Sequence, residues 1–180
     1  MKNTAYTEND ISLIWVGEST GDFEHPYNAI KDMYDDYMDE LSGFMDILPD
    51  AELKRPEGDP SSCCVLICIK GDDDFIPVGF LRHSAYGYGF SDHDITLLDL
   101  YIRKEFRRRG IGKSVTEIIL KNAADRSFDI TMFISENNHI AQSFFRKLSS
   151  KNGYVNCFDV GNIRAFKDGS DLEFYYWRRF

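Results

Sequence analysis

Two periodicities alternate along the chain. From Ile30, apolar residues recur at Met33, Tyr34, Tyr37, Leu41, Phe44, Met45 and Leu48, with Asp32, Asp35, Asp36, Asp39 and Glu40 between them. A stripe with this 3.6-residue spacing predicts an amphipathic helix with an acidic outer face, either single or broken in two near Gly43. Residues 63–69 form a short continuous apolar run that ends at Gly71-Asp72-Asp73-Asp74, and 76–81 follow, which predicts two strands joined as a hairpin. Gly87, Gly89 and Asp92 mark a further turn before 95–102, a run rich in leucine and β-branched residues that reads as a strand. Helical spacing returns at Ile111, Val115, Ile118, Ile119 and Ala123. Phe128, Ile130, Met132 and Ile134 then alternate as a strand, and Ile140, Ala141, Phe144, Phe145 and Leu148 resume helical spacing behind Asn137 or Asn138 as cap. Strands near 153–160 and 172–179 close the chain, 11–16 supply the first strand, and 161–171 read as a long loop.

A chain of 180 residues, 43% hydrophobic and 28% charged, without internal repeats or linker-like tracts, fits one domain over 1–180. A domain of this size buries roughly 70% of its unfolded surface, so metals and disulfides are optional. The four cysteines, Cys63, Cys64, Cys68 and Cys157, match no zinc spacing with histidine partners and read as reduced, packed thiols; no metal site is expected. No apolar run approaches the ~18–20 residues that cross a bilayer, and the first ten residues are polar, so the expectation is a cytoplasmic chain without membrane association. A net charge of −9 argues against nucleic acid as a partner.

The charge is uneven. Residues 1–60 hold fifteen acidic side chains against four basic ones, whereas 103–126 hold eight basic against three acidic. A solvated helix face accounts for such a pattern, but it also suits a protein that grips an anion in one place and a cation in another.

The basic segment contains the most informative motif. Between Ile102 and the helix near Ile111 the chain reads Arg103-Lys104-Glu105-Phe106-Arg107-Arg108-Arg109-Gly110-Ile111-Gly112-Lys113-Ser114. Gly110 and Gly112 admit a ligand close to the main chain, and the first N–H groups of a helix lack internal partners, so an anion such as phosphate fits there. Gly112-Lys113-Ser114 matches the tail of a P-loop, but the first glycine of that motif would fall on Arg107, so the pattern fails. Arg107-x-x-Gly110-x-Gly112, opening a helix after a strand, instead resembles the R/Q-x-x-G-x-G/A signature of the GNAT acetyltransferase superfamily. The resemblance continues through Asn138-x-x-Ala141-x-x-Phe144-Phe145 and Gly153-Tyr154, so that roughly 95–155 correspond in order and spacing. Read singly, Asn138 is a helix cap and the two phenylalanines are core residues; the paired signatures carry the likeness.

The resemblance implies an α/β fold: a mixed, mostly antiparallel sheet of six or seven strands, with splayed, parallel fourth and fifth strands and about four flanking helices. It implies acetyl-CoA as cosubstrate in the cleft between those strands. The diphosphate would rest on the N–H groups of Arg107, Arg108, Arg109, Gly110, Ile111, Gly112 and Lys113, with Ser114 completing the segment. Main-chain groups of Leu100 and Ile102, on either side of Tyr101, would hold the pantetheine arm, and Asn138 and Phe145 would line the thioester end. The activity implied is acetyl transfer to a primary amine of a cationic acceptor, a small molecule or a peptide or protein amine, with the acidic helix beside the acceptor cleft. A weakly active or inactive CoA-binding module is the alternative. The chain departs from the pattern where several members carry a base, since Thr96 and Leu98 stand there, and where many carry an acidic tyrosine, since Phe145 stands there. Asp99, of opposite strand parity, should face away. Tyr154, or a water on Thr96, is a substitute for the missing groups. The acceptor's identity and the oligomeric state, a homodimer included, stay open.

Overall fold

A computed structural model describes residues 5–16, 24–44, 62–71, 74–84, 94–126, 128–135, 137–149, 154–164 and 171–179. Seven strands, β1 (Ile11–Val16), β2 (Ser62–Lys70), β3 (Phe75–Ser84), β4 (Asp94–Ile102), β5 (Asp129–Ser135), β6 (Tyr154–Arg164) and β7 (Asp171–Arg179), form one sheet in the order β1-β2-β3-β4-β5-β7-β6. Every neighbouring pair is antiparallel except β4 and β5, which are parallel. Three α-helices occur among the described residues: α1 (Glu24–Ser42), α2 (Ile111–Asp125) and α3 (His139–Ser149). The expected helix count was about four.

α1 begins six residues before the stripe at Ile30, because Tyr27 extends that stripe and Pro26 sits in the first turn, where a proline is tolerated. It ends at Ser42, and the amides of Gly43 and Phe44 turn back onto the Glu40 and Leu41 carbonyls. The expected extension over 45–48 lies outside the described residues, as does the turn at Gly87, Gly89 and Asp92. β6 runs through Arg164, paired with Asp171, so 161–164 and 171 of the loop expected over 161–171 are strand, with a register shift between Val160 and Ile163, and 165–170 lie outside the described residues. An irregular strand hides its alternation from a period-2 reading.

Each face of the sheet has its own core. On one face α2 and α3 pack Ile111, Val115, Ile119 and Phe145 onto Val65, Ile67, Leu81, Leu97, Ile130 and Met132. On the other, α1 packs Ile30, Met33 and Tyr34 onto Leu66, Phe80 and Tyr101. Phe80 is fully buried and lies 5.6 Å from the ring centres of both Tyr37 and Tyr101; aromatic pairs of this kind add about 0.5–1.5 kcal/mol each beyond their burial. Cys64 and Cys68 are buried within this core, and burial pushes the Cys68 thiol up to about 11. Gly79 lets β3 approach β4, since a Cβ there would run into the Tyr101 carbonyl oxygen.

Candidate active site

β4 and β5 pair over only four residues, from Asp94 with Asp129 to Leu97 with Met132. Beyond that point β4 continues to Ile102 beside β3, and β5 continues to Ser135 beside β7, so the two strands part at their C-terminal ends. The Arg103 amide donates to the Val78 carbonyl at 2.9 Å, and the Tyr101 carbonyl faces Gly79. By alternation, the main-chain groups of Leu100 and Ile102 turn toward the gap, while those of Tyr101 turn to β3. The Tyr101 ring is buried on the α1 face.

A break in the alternation precedes the gap. Arg82 pairs with Asp99 but His83 pairs with Leu97, so Leu98 is an extra residue in β4. The expectation that Asp99 faces the opposite side from Thr96 fails for this reason. Leu97 belongs to the α2 face, and the inserted Leu98 returns Asp99 to the α1 face, where it accepts hydrogen bonds from the Tyr37 hydroxyl and the Arg82 guanidinium. Burial, and then the Asp99 charge, raise the Tyr37 hydroxyl well above its ordinary value. Thr96 is fully buried, and its hydroxyl shares a 2.6 Å hydrogen bond with that of Thr131 on β5. A water relay at Thr96 therefore has no solvent-facing surface to start from.

The bend between β4 and α2 lies at the end of the gap. Lys104–Phe106 form a short 3-10 turn, and Arg108 (φ 62°) and Gly110 (φ 88°) both adopt left-handed backbone. The first α-helical bond of α2 is donated by the Ser114 amide to the Gly110 carbonyl at 3.0 Å. The amides of residues 108–113 thus precede the helical ladder and donate to no backbone carbonyl among the described residues. The Arg107 amide bonds weakly back to Lys104, at 3.3 Å, and Ser114 is buried with its amide engaged. The Arg109 carbonyl accepts from the Tyr6 amide at 2.8 Å, and its guanidinium lies over the Phe106 ring. Around Gly112 the nearest atoms belong to the tips of Phe144 and Ile102, 3.6 and 3.9 Å from a Cβ position. Orphan amides, the positive end of a helix and a close-approach glycine together fit a diphosphate.

The second signature has a structural share. The Asn138 side-chain oxygen accepts from the Ala141 amide at 3.0 Å, capping α3. Phe145 is buried in the α2-face core, edge-on to Phe144. The side chain of Tyr154 lies outside the described residues. Sequence reasoning missed α1's part: Glu40 bonds to Arg107 of the bend, and the Phe44 carbonyl accepts from the Asn137 side chain ahead of α3 at 3.4 Å. The C-terminal end of α1 therefore joins the segments that follow β4 and β5.

Solved structures share this architecture. A GCN5-related N-acetyltransferase from Kribbella flavida superposes with a TM-score of 0.64 at 16% identity, covering 97% of this chain and 100% of that one. An acetyltransferase from Thermus thermophilus gives 0.58 at 21% identity, with 92% and 96% covered. The aminoglycoside acetyltransferase meta-AAC0020, from an uncultured soil metagenomic sample and in complex with sisomicin, gives 0.59 at 13% identity, with 89% and 99% covered. At these identities the likeness shows the fold, which is that of the N-acetyltransferases. No curated protein sequence matches the chain. The model of the Acetyltransferase (GNAT) family matches residues 30–149, more than half of the chain, and the chain belongs to that family.

Proposed function

We propose that the chain is an N-acetyltransferase that moves the acetyl group of acetyl-CoA to a primary amine of a cationic acceptor. The observation that carries this reading is the row of orphan amides at 108–113, set at the end of the gap between β4 and β5. In this reading the amides and the α2 N-terminus hold the diphosphate, and main-chain groups of Leu100 and Ile102 run alongside the pantetheine arm. Since the Arg107 side chain already occupies the Ile102 carbonyl, at 2.6 Å, the Ile102 amide and the Leu100 groups remain for that contact.

The acceptor side draws on α1. Asp32, Asp35, Asp36 and Asp39 are exposed along it, and its far end spans the segments after both parting strands. Four exposed carboxylates along a helix that ends at those segments attract a cationic amine and raise its encounter rate. A meta-AAC0020-like acceptor, an amine-rich small molecule, suits that field, as does a basic peptide. The amine must lose a proton before attack, since a Lys-like amine of pKa ~10.4 is only about one part in a thousand neutral near pH 7.

A second reading, acetyl-CoA binding without turnover, is favoured by Thr96 bonded to Thr131 and Phe145 in the core, neither of which donates or removes a proton. General acid and base help is worth about 10²–10⁴-fold, whereas proximity alone lowers a barrier by ~7–11 kcal/mol, so transfer without both groups stays chemically accessible. Calorimetry with acetyl-CoA and a thiol-release assay over a panel of polyamines, aminoglycosides and basic peptides test both readings. Binding with CoA release supports the enzyme, binding without release supports the second reading, and no binding ends both.

A further inference from the structure

The side chain of Arg107 makes its contacts away from the amides of its own bend. Nε donates to the Ile102 carbonyl at 2.6 Å, and Nη2 donates to both carboxylate oxygens of Glu40, at 2.9 and 2.8 Å. The guanidinium carbon lies 5.3 Å from the centre of the Tyr101 ring. Lys104 reaches the same carboxylate at 3.3 Å. Glu40 belongs to α1, 67 residues earlier in the chain, so this cluster joins an acceptor-side helix, the end of β4 and the start of the bend.

We infer that Glu40 is a positioning residue for the bend: by holding Arg107 it strengthens the grip of residues 108–113 on a diphosphate, although it is itself an anion beside an anion site. The inference rests on the proposed acetyl-CoA binding. Two effects of opposite sign meet at Glu40. Its charge repels phosphate, and it neutralises two cations, Arg107 and Lys104, that would otherwise attract phosphate. Against this, an orphan-amide site works only when the amides already converge, because the ordering cost is otherwise met on binding. Arg107 is the residue immediately before the left-handed Arg108, and its guanidinium is the anchor that fixes where the bend starts. Glu40 and Arg107 are only a quarter and a third exposed, so the pair orders the chain more than a solvated surface pair does. The planar fork serves a carbonyl, a carboxylate and a ring face together, which an ammonium cannot do.

The sign of one substitution separates this role from a purely electrostatic one. Acetyl-CoA is titrated by calorimetry into the wild type, Glu40→Gln and Arg107→Lys, each checked by thermal melting. The expected result is wild-type binding, with both variants folded and weaker by about tenfold or more. With an accepted amine, the KM for acetyl-CoA should rise while kcat holds. If Arg107 served only as a cation for phosphate, Glu40→Gln would bind more tightly and Arg107→Lys as well as the wild type; either result, or unchanged binding in Glu40→Gln, overturns the inference and leaves the proposed function standing. Should Glu40→Gln fail to fold, Arg107→Lys alone decides, since it keeps the charge and loses the fork. A wild type that takes up no acetyl-CoA removes the proposed function and this inference together.

Discussion

Gly110 stands at φ 88°, with the Tyr6 carbonyl oxygen 3.0 Å from where a Cβ would be, whereas a Cβ at Gly112 would meet only the tips of Phe144 and Ile102 at ordinary contact distance. The same residue type thus answers two different demands two positions apart. Left-handed backbone costs an L-residue about 1–2 kcal/mol, so Gly110→Ala should lower the melting temperature and weaken acetyl-CoA together. Gly112→Ala should melt like the wild type yet lose about tenfold or more in acetyl-CoA affinity, because its hydrogen is what lets a ligand approach the main chain. Equal melting temperatures for the two variants would contradict this division. Both glycines are legible in the sequence as part of a motif. Which one is conformational and which one steric depends on a φ value and on Tyr6, about a hundred positions away.

Among the elements, β4 decides most. It reads from sequence as a strand, and its range is nearly as expected, but the extra residue at Leu98 is invisible to a period-2 pattern in a run that is apolar at Ile95, Leu97, Leu98, Leu100 and Ile102. With the bulge, Thr96 pairs with Thr131 across the last stretch where β4 and β5 remain joined. Each hydroxyl is buried without exposed surface, so removing one leaves the other without this partner. Thr96→Val or Thr131→Val should each cost about 1–3 kcal/mol in urea unfolding, and the double variant should cost well below their sum. Additive losses would show that the two hydroxyls act independently.

At the scale of the whole molecule, the acidic first third and the basic 103–126 segment are not separate fields. Glu40 meets Lys104 and Arg107, so part of the asymmetry is spent inside the protein, and the exposed aspartates of α1 remain for an external cation. No helix among the described residues is long and apolar enough to cross a membrane. Global stability should also carry a histidine signature. His83 is buried against Trp15, neither ring nitrogen has a hydrogen-bond partner among the described residues, and burial lowers its pKa below the ordinary 6.5. The unfolded chain then binds a proton that the folded chain refuses. The stabilisation is complete above about pH 6.5 and is lost as pH falls, by at most ~1.4 kcal/mol per pH unit. Melting curves between pH 7.5 and 5.5 should therefore fall more steeply for the wild type than for His83→Leu; parallel curves would refute the assignment.

Local chemistry fixed the elements and the bend: alternation, helical stripes, glycines before a helix and an asparagine cap are set by neighbours in the chain, and the family signatures lie within continuous segments. The sheet order, the parting of β4 from β5, the face of Asp99 and the hold of Glu40 on Arg107 came only with the tertiary structure. Each depends on residues tens of positions apart that meet through packing, and a bulge of one residue is enough to reverse which side of a strand a carboxylate occupies.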